Sequence, residues 1–462
     1  MTKLDVLSAF DEERIEQLTL TTEAELEAHL TRAKKLHDAR AWLPAHERIR
    51  ILERIAAFLA EKKDELARLA AREGGKPLVD SLVEAQRASE GARAAAALLW
   101  SRGGREIPMG LTPASEGRFA HTFVEPRGVV GAISAFNHPL NLIVHQVIPA
   151  IAVGAPVLVK PASATPLSCR ALLDITREAG LPEGFARMVL LPSELGTKLA
   201  RDPRLGFFSF IGSARVGFEL AAQLAPGVTC ALEHGGVAPV IVDETADVDK
   251  AVPALVKGGY YHAGQVCVSV QRIYIERSRY QAFVDAFVEQ VKKLVVGDPL
   301  DPKTEVGPLI SPKEVERVDE WVKEAVAGGA SLATGGHALS KTTYAPTVLL
   351  EPTDDARVSK EEVFGPVVCL YPYDALDDAV ARANGPDVYF QAAVWTQNLE
   401  RALSLTRRLN GTTVLVNDHT AFRVDWMPFG GARRSGLGMG GIEASMHDMS
   451  IERMAVFRSS AF

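Results

Sequence analysis

Between about Thr22 and Trp100, apolar residues recur at spacings of three and four. Ile51, Leu52, Ile55, Phe58, Leu59, Leu66 and Leu69 fall on one stripe, which predicts helices with a single packed face. From Gly103 to Gly128 the pattern changes to two extended runs separated by turn residues, "GGREIPMGLTPASEGRFAHTFVEPRG", as in a β-ribbon leaving the main body. After Gly128, continuous apolar runs alternate with helical ones: "GVVGAISAF", a helix after Pro139, "PVLVK", a helix over about 166–179, "ARMVLL", "GFFSFIG", a helix after Gly212, and "TCALE". Strands apolar along their whole length and separated by helices predict a parallel sheet covered on both faces, with ligands expected at the strand C-termini. A second α/β stretch runs from about Gly236 into the 420s, and "MSIERMAVF" near the end reads as an edge strand. The expected fold is therefore α/β, with two open α/β domains and a small β element.

The chain has 462 residues, 47% of them hydrophobic and 24% charged, with a formal net charge of −7. That length allows two or three domains with sizeable cores, and that balance gives no broad positive field, so neither nucleic acid nor an anionic membrane surface is an expected partner. "MTKLDVLSAFDEERIEQ" is too acidic for a transit peptide and has no apolar core, and no run of about 18 apolar residues follows, so a cytoplasmic protein is expected. The four cysteines (Cys169, Cys230, Cys267 and Cys369) are far apart and form no C-x-x-C pair. Neither a metal site nor a disulfide framework is expected. Cys169, Cys230 and Cys369 sit in segments that read as core.

Cys267, in "HAGQVCVSVQR", stands apart from them, and 34 residues earlier "ALEHGG" puts Glu233 at a predicted strand end before two glycines. A thiol needs a base near neutral pH, and a carboxylate acting through water can take its proton or activate a hydrolytic water. Asn137, in "ISAFNHPLN", ends the first strand with an amide donor suited to a developing oxyanion. Lys160 and Ser163, in "PVLVKPASATP", stand where a nucleotide ribose is bound, and Gly212 and Ser213, in "FIGSARVG", occupy a strand-to-helix junction suited to a pyrophosphate. Taken singly, each also fits a plain role: a buried cysteine, a turn asparagine, a solvated lysine, an ordinary turn.

Together, in order, these segments resemble the aldehyde dehydrogenase superfamily from about residue 20 to the end. "FNHPL" is similar to its W-N-x-P-x, "VLVKPASATP" to K-P-[SA]-x-x-T-P, "FIGSARVG" to F-T-G-S-x-x-x-G and "LEHGG" to L-E-L-G-G. "GQVCVS" is similar to G-Q-x-C, "EEVFGPV" to E-E-x-F-G-P-V, and "PFGGARRSGLG" to P-F-G-G-x-K-x-S-G-x-G. The resemblance implies an NAD- or NADP-dependent, non-acylating oxidation of a small aldehyde. Residues 1–104 and 128–235 would form a Rossmann-like NAD(P)-binding domain, 236–428 the catalytic domain, and 105–127 with 429–462 an oligomerisation element of a homodimer or homotetramer.

The same resemblance makes Cys267 the nucleophile, Asn137 an oxyanion donor and Glu233 the base, with Lys160 also in the catalytic group. It implies cofactor contacts from Ile133, Ser134, Phe136, Lys160, Ser163, Gly212, Ser213, Glu233, Glu362 and Phe364. Three positions depart from the pattern: Phe136 for Trp, His234 for Leu, and Arg433 for Lys. Glu233 argues against release of the acyl group to CoA, and the retention of Cys267, Asn137 and Glu233 argues against a non-catalytic descendant. Val266 and Val268 offer no cation to the substrate. Arg423, in "NDHTAFRVDWMPFGG", either meets the substrate or pairs with Asp425.

Overall fold

The computed structural model describes residues 2–461. It opens with an antiparallel hairpin, Lys3–Leu7 with Arg14–Thr19, which the short and strongly charged runs "KLDVL" and "RIEQLT" did not signal. The expected helical stretch follows as four helices, Glu23–Asp38, Ala45–Glu61, Lys63–Gly74 and Leu78–Leu98. The first is capped by Thr22, whose side chain accepts from the Glu25 N–H while the Glu25 carboxylate accepts from the Thr22 N–H.

A six-stranded sheet has the order Gly436–Leu437, Thr229–Glu233, Leu205–Ile211, Val129–Ile133, Val157–Lys160, Ala186–Met188. Four of its five pairings are parallel, and at one edge Gly436–Leu437 runs antiparallel to Thr229–Glu233. Val129, Val130, Ala132, Val157, Leu158 and Val159 are all buried, as strands with helices on both faces require. The chain builds outward from Val129–Ile133 in one direction and then returns to its other side at Leu205–Ile211. This reversal opens a crevice beyond the strand C-termini, between Ser134–Asn137 and Gly212–Ser213.

The second sheet has eight strands, parallel through its centre, with Arg272–Glu276 between Val367–Tyr373 and Pro239–Val242. Its helices and strands share one large apolar core. The loop carrying Cys267 enters Arg272–Glu276 and faces the crevice of the first sheet.

The ribbon strand Arg118–Pro126 and the terminal strand Ser450–Arg458 pair with each other inside the chain, together with Glu106–Ile107. Glycine-rich residues 432–437 do not belong to that small sheet: Ala432–Arg433 joins the eight-stranded sheet and Gly436–Leu437 the six-stranded one. Two short strands divided by one turn let a single segment edge both sheets. Among the described residues, no helix is long and apolar enough to cross a membrane.

Candidate active site

The crevice deepens into a cavity of about 860 Å³ whose wall includes Asn137, Glu233, Cys267, Glu362 and Arg423. Cys267 follows a backbone stretch with positive φ at three successive positions, His262 (50°), Ala263 (54°) and Gly264 (68°). The first two lie in the left-handed region that side chains avoid, so the loop stores strain and must be held. Gln265 holds it. Its Nε2 donates to the carbonyls of His262 (3.2 Å) and Pro308 (3.1 Å), and its Oε1 accepts from the Ile310 N–H (2.9 Å). The Gln265 backbone carbonyl in turn accepts from Asn137 Nδ2 at 2.9 Å, so one residue fixes both the thiol loop, through its side chain, and the amide across the crevice, through its backbone.

Both cavity carboxylates lie against glycine backbone. A Cβ on Gly235 would sit 1.8 Å from Glu362 Oε1, and one on Gly440 would sit 2.3 Å from Glu233 Oε1. Burial raises the Glu233 carboxyl, which the Arg423 charge partly offsets. Burial also pushes Glu362 up to about 8, against a smaller pull from Arg317. The Cys267 thiol is pushed up by enclosure and by the Glu362 charge, while Arg423 draws it down. The thiol is therefore protonated at rest and depends on a base.

The crevice side suits a dinucleotide. Ser134 Oγ is buried and has no hydrogen-bond partner. Ser213 begins the helix Ala214–Ala221 without spending its hydroxyl on a cap, and the first-turn N–H groups open towards Gly212 and Ser213 on the cavity wall. Ile133, Phe136 and Phe364 line the same space, with the Phe136 and Phe364 rings edge to face at 5.7 Å.

Lys160 and Ser163 do not line this cavity. The Lys160 ammonium donates to the Pro161 carbonyl at 3.3 Å and its stem packs beside Gly196, while Ser163 is exposed in the following turn. Lys160 is thus held on the outer rim, apart from Cys267. His234 is buried between Phe210 and Phe218, its Nδ1 2.9 Å from the Gly212 carbonyl. Arg433 lies 3.7 Å from Asp387, away from the cavity.

Arg423 is not paired with Asp425. The Asp425 carboxylate accepts from Arg87 Nη2 (2.8 Å) and Nε (3.1 Å) and from Asn141 Nδ2 (3.0 Å), and lies 2.6 Å from His145 Nε2. Burial opposes its charge, yet these hydrogen bonds hold it far below the usual carboxylate range. A second buried group was also missed: Lys76 donates to Glu84 at 2.8 Å and lies 2.6 Å from His138 Nδ1.

The profile of the aldehyde dehydrogenase family matches residues 1–454. The 3-sulfolactaldehyde dehydrogenase of Priestia megaterium is 37% identical over 456 residues, which is 98% of this chain and 94% of that one. The lactaldehyde dehydrogenase of Methanocaldococcus jannaschii is 36% identical over 452 residues, 97% and 96% of the two chains. Among solved structures, aldehyde dehydrogenase 21 of Physcomitrella patens, in complex with the reaction product succinate, superposes with a TM-score of 0.96 at 33% identity, covering 99% of this chain and 95% of that one. The glyceraldehyde-3-phosphate dehydrogenase of M. jannaschii, complexed with NADP, gives 0.94 at 35% identity, covering 98% and 99%.

Proposed function

Because the chain belongs to the aldehyde dehydrogenase family, we propose that Cys267, Glu233 and Asn137 carry its NAD(P)-dependent oxidation of an aldehyde to the carboxylic acid. The observation behind this reading is that all three line one cavity at the switch point of the six-stranded sheet, with Gln265 tying the thiol loop to Asn137.

Glu233 accepts the Cys267 thiol proton, directly or through a water, and the thiolate sulfur bonds to the aldehyde carbon. The carbonyl π electrons move to oxygen, where the second Asn137 Nδ2–H and the Cys267 N–H stabilise the alkoxide of the thiohemiacetal. The bound nicotinamide supplies the two-electron hydride acceptor that leaves a thioester on Cys267. Glu233 passes the thiol's proton to solvent and, again a carboxylate, takes a proton from a water whose oxygen bonds to the thioester carbon. Collapse of that adduct breaks the C–S bond, releasing the acid and a thiolate that takes the proton back from Glu233.

Ser134, Gly212 and Ser213 hold the cofactor along the crevice, Phe136 and Phe364 bracket its reactive end, and Lys160 with Ser163 meets it at the outer rim. Glu362 positions it from the opposite wall. The protein works as a homodimer or a dimer of dimers, supported by the outer edge of Ser450–Arg458, which pairs on one side only. Its free cysteines suit the reducing cytoplasm.

The test is Cys267→Ser, which keeps side-chain volume but gives a far weaker nucleophile. Dehydrogenation should fall below a few per cent while cofactor binding and the melting temperature stay near wild type. Retained activity would remove Cys267 from the role.

A further inference from the structure

His234 stands where the family pattern has an apolar leucine, and no step of the oxidation uses it. Its imidazole is buried, with the rings of Phe210 and Phe218 edge to face against it at 5.9 and 5.1 Å. A carbonyl oxygen only accepts, so the 2.9 Å contact with Gly212 makes Nδ1 the protonated nitrogen. Burial holds the ring below the usual histidine range and keeps it neutral, which leaves Nε2 an acceptor. That Nε2 is buried without a hydrogen-bond partner. The helix Ala214–Ala221 makes room for the ring and offers it no bond: a Cβ on Gly217 would sit 2.0 Å from Cε1 and 2.6 Å from Nε2. An unpaired imidazole nitrogen in such a space lowers stability, where a leucine would not.

What the imidazole adds is one bond at one place. The Gly212 N–H donates to the Glu233 carbonyl at 3.1 Å, and the Gly212 carbonyl accepts from the side chain of the next residue, His234. Both polar groups of a residue with unusual backbone freedom are thus fixed by consecutive residues at the end of Thr229–Glu233. The C=O and N–H of one trans peptide point in opposite directions, so holding the Gly212 carbonyl against the ring turns the Ser213 N–H away from it. Ser213 lines the cavity and heads Ala214–Ala221, which groups that N–H with the free first-turn donors of the helix. Further along, the Gly236 N–H donates to the Cys267 carbonyl at 3.2 Å, so residues 233–236 brace the turn at Gly212 against the thiol loop.

We propose that His234 is a positioning residue for the cofactor: by fixing the peptide plane between Gly212 and Ser213 it aims the Ser213 N–H at the pyrophosphate, and it raises cofactor affinity while lowering the stability of the protein. The proposal rests on the reading that Gly212 and Ser213 hold the dinucleotide.

The test measures Kd for NAD⁺ and NADP⁺ by calorimetry, and thermal melting of the free protein, in His234→Leu, His234→Asn and His234→Gln. Leu fills the apolar space without a donor. The Asn amide carries an N–H where Nδ1 stands, whereas the Gln amide stands in for Nε2, so these two differ in the placement of the donor and not in its kind. His234→Leu should weaken both cofactors about fivefold, on the order of one buried neutral hydrogen bond, and raise KM for cofactor more than it lowers kcat. Its melting temperature should equal or exceed that of wild type. Asn should stay within about twofold of wild-type affinity, and Gln should lose as much as Leu. An unchanged Kd in Leu, or equal losses in Asn and Gln, would overturn the proposal. A melting temperature that falls in step with affinity across the three variants would make His234 a packing residue and overturn it too. Ser213→Asp distinguishes this from failure of the underlying reading, because a carboxylate at the turn should repel the pyrophosphate and weaken both cofactors at least about tenfold. If it does not, the turn does not hold the cofactor and both readings fall.

Discussion

Asn137→Ala separates chemistry from folding, because the two roles of the side chain differ in size. The amide has two N–H bonds, and one is spent at 2.9 Å on the Gln265 carbonyl. Removing it loses a neutral buried hydrogen bond and leaves that carbonyl unpaired, which costs stability of about 1–3 kcal/mol. The other N–H acts only when the carbonyl oxygen becomes an alkoxide in the enclosed cavity. Loss of one such donor typically costs about 3–4 kcal/mol in the barrier, on the order of 10²–10³ in kcat. The assay is steady-state kcat and KM at saturating cofactor, read as reduced cofactor, alongside cofactor affinity and thermal melting. We expect kcat to fall by about two to three orders of magnitude, cofactor affinity to stay near wild type, and the protein to remain folded. Asn137→Asp provides the control: it keeps the shape but puts an acceptor against the Gln265 carbonyl and the alkoxide, so it should do no better than Ala. A tenfold or smaller loss in Ala, or substantial activity in Asp, would show that Asn137 is not the oxyanion donor.

Glu233→Gln should lose the first burst of reduced cofactor along with steady turnover, and a retained burst would confine Glu233 to hydrolysis of the thioester. Because burial raises the Glu233 carboxyl and only its deprotonated form is a base, wild-type turnover should climb with pH through a limb above the ordinary carboxylate range. A limb unchanged in the residual activity of Glu233→Gln would assign it to another group. Ser163→Glu, in the exposed turn beside Lys160, should lower kcat/KM for NADP⁺ at least about tenfold, ~1.4 kcal/mol, and change NAD⁺ less. Equal harm to both cofactors would rule Ser163 out as the discriminating residue. Gly217→Ala would put a Cβ 2.0 Å from His234 Cε1 at the cofactor helix, so it should weaken cofactor binding, with His234→Ala recovering part of the loss. Additive effects across that double-mutant cycle would mean the two positions do not press on each other.

The strands around Val129–Ile133 were legible because burial on both faces imposes unbroken apolar runs, whereas the meeting of Cys267 and Glu233 on one cavity wall was legible only through the ordered motifs that contain them. The Arg87–Asp425 pair was not legible, since its partners are 338 residues apart and each reads alone as an ordinary surface charge. For the same reason the sequence left open whether Arg423 pairs with Asp425: only two residues apart, they turn to different neighbours. Lys160 was grouped with the chemistry by the family resemblance, and its strand lies one place further from the crevice than Val129–Ile133. The glycine-rich end was legible only as flexible backbone, because short strands such as Ala432–Arg433 and Gly436–Leu437 carry no periodicity to read.

The antiparallel pairing of Gly436–Leu437 against Thr229–Glu233 also bears on how the protein is made. Glu233 sits on a strand whose outer neighbour is separated from it by the whole eight-stranded half, and the His234 N–H is satisfied by the Ser435 carbonyl at 3.0 Å. On the ribosome, the first half of the chain can collapse around its helices while that edge is still bare, since Ser435 is made long after His234. Until then Thr229–Glu233 presents unpaired N–H and C=O groups, a template for wrong pairing with other nascent chains. The chain therefore closes the sheet edge beside Glu233 only once residues 435–437 are made, and a product truncated before Ser435 would carry an open sheet edge rather than being a slightly shortened enzyme.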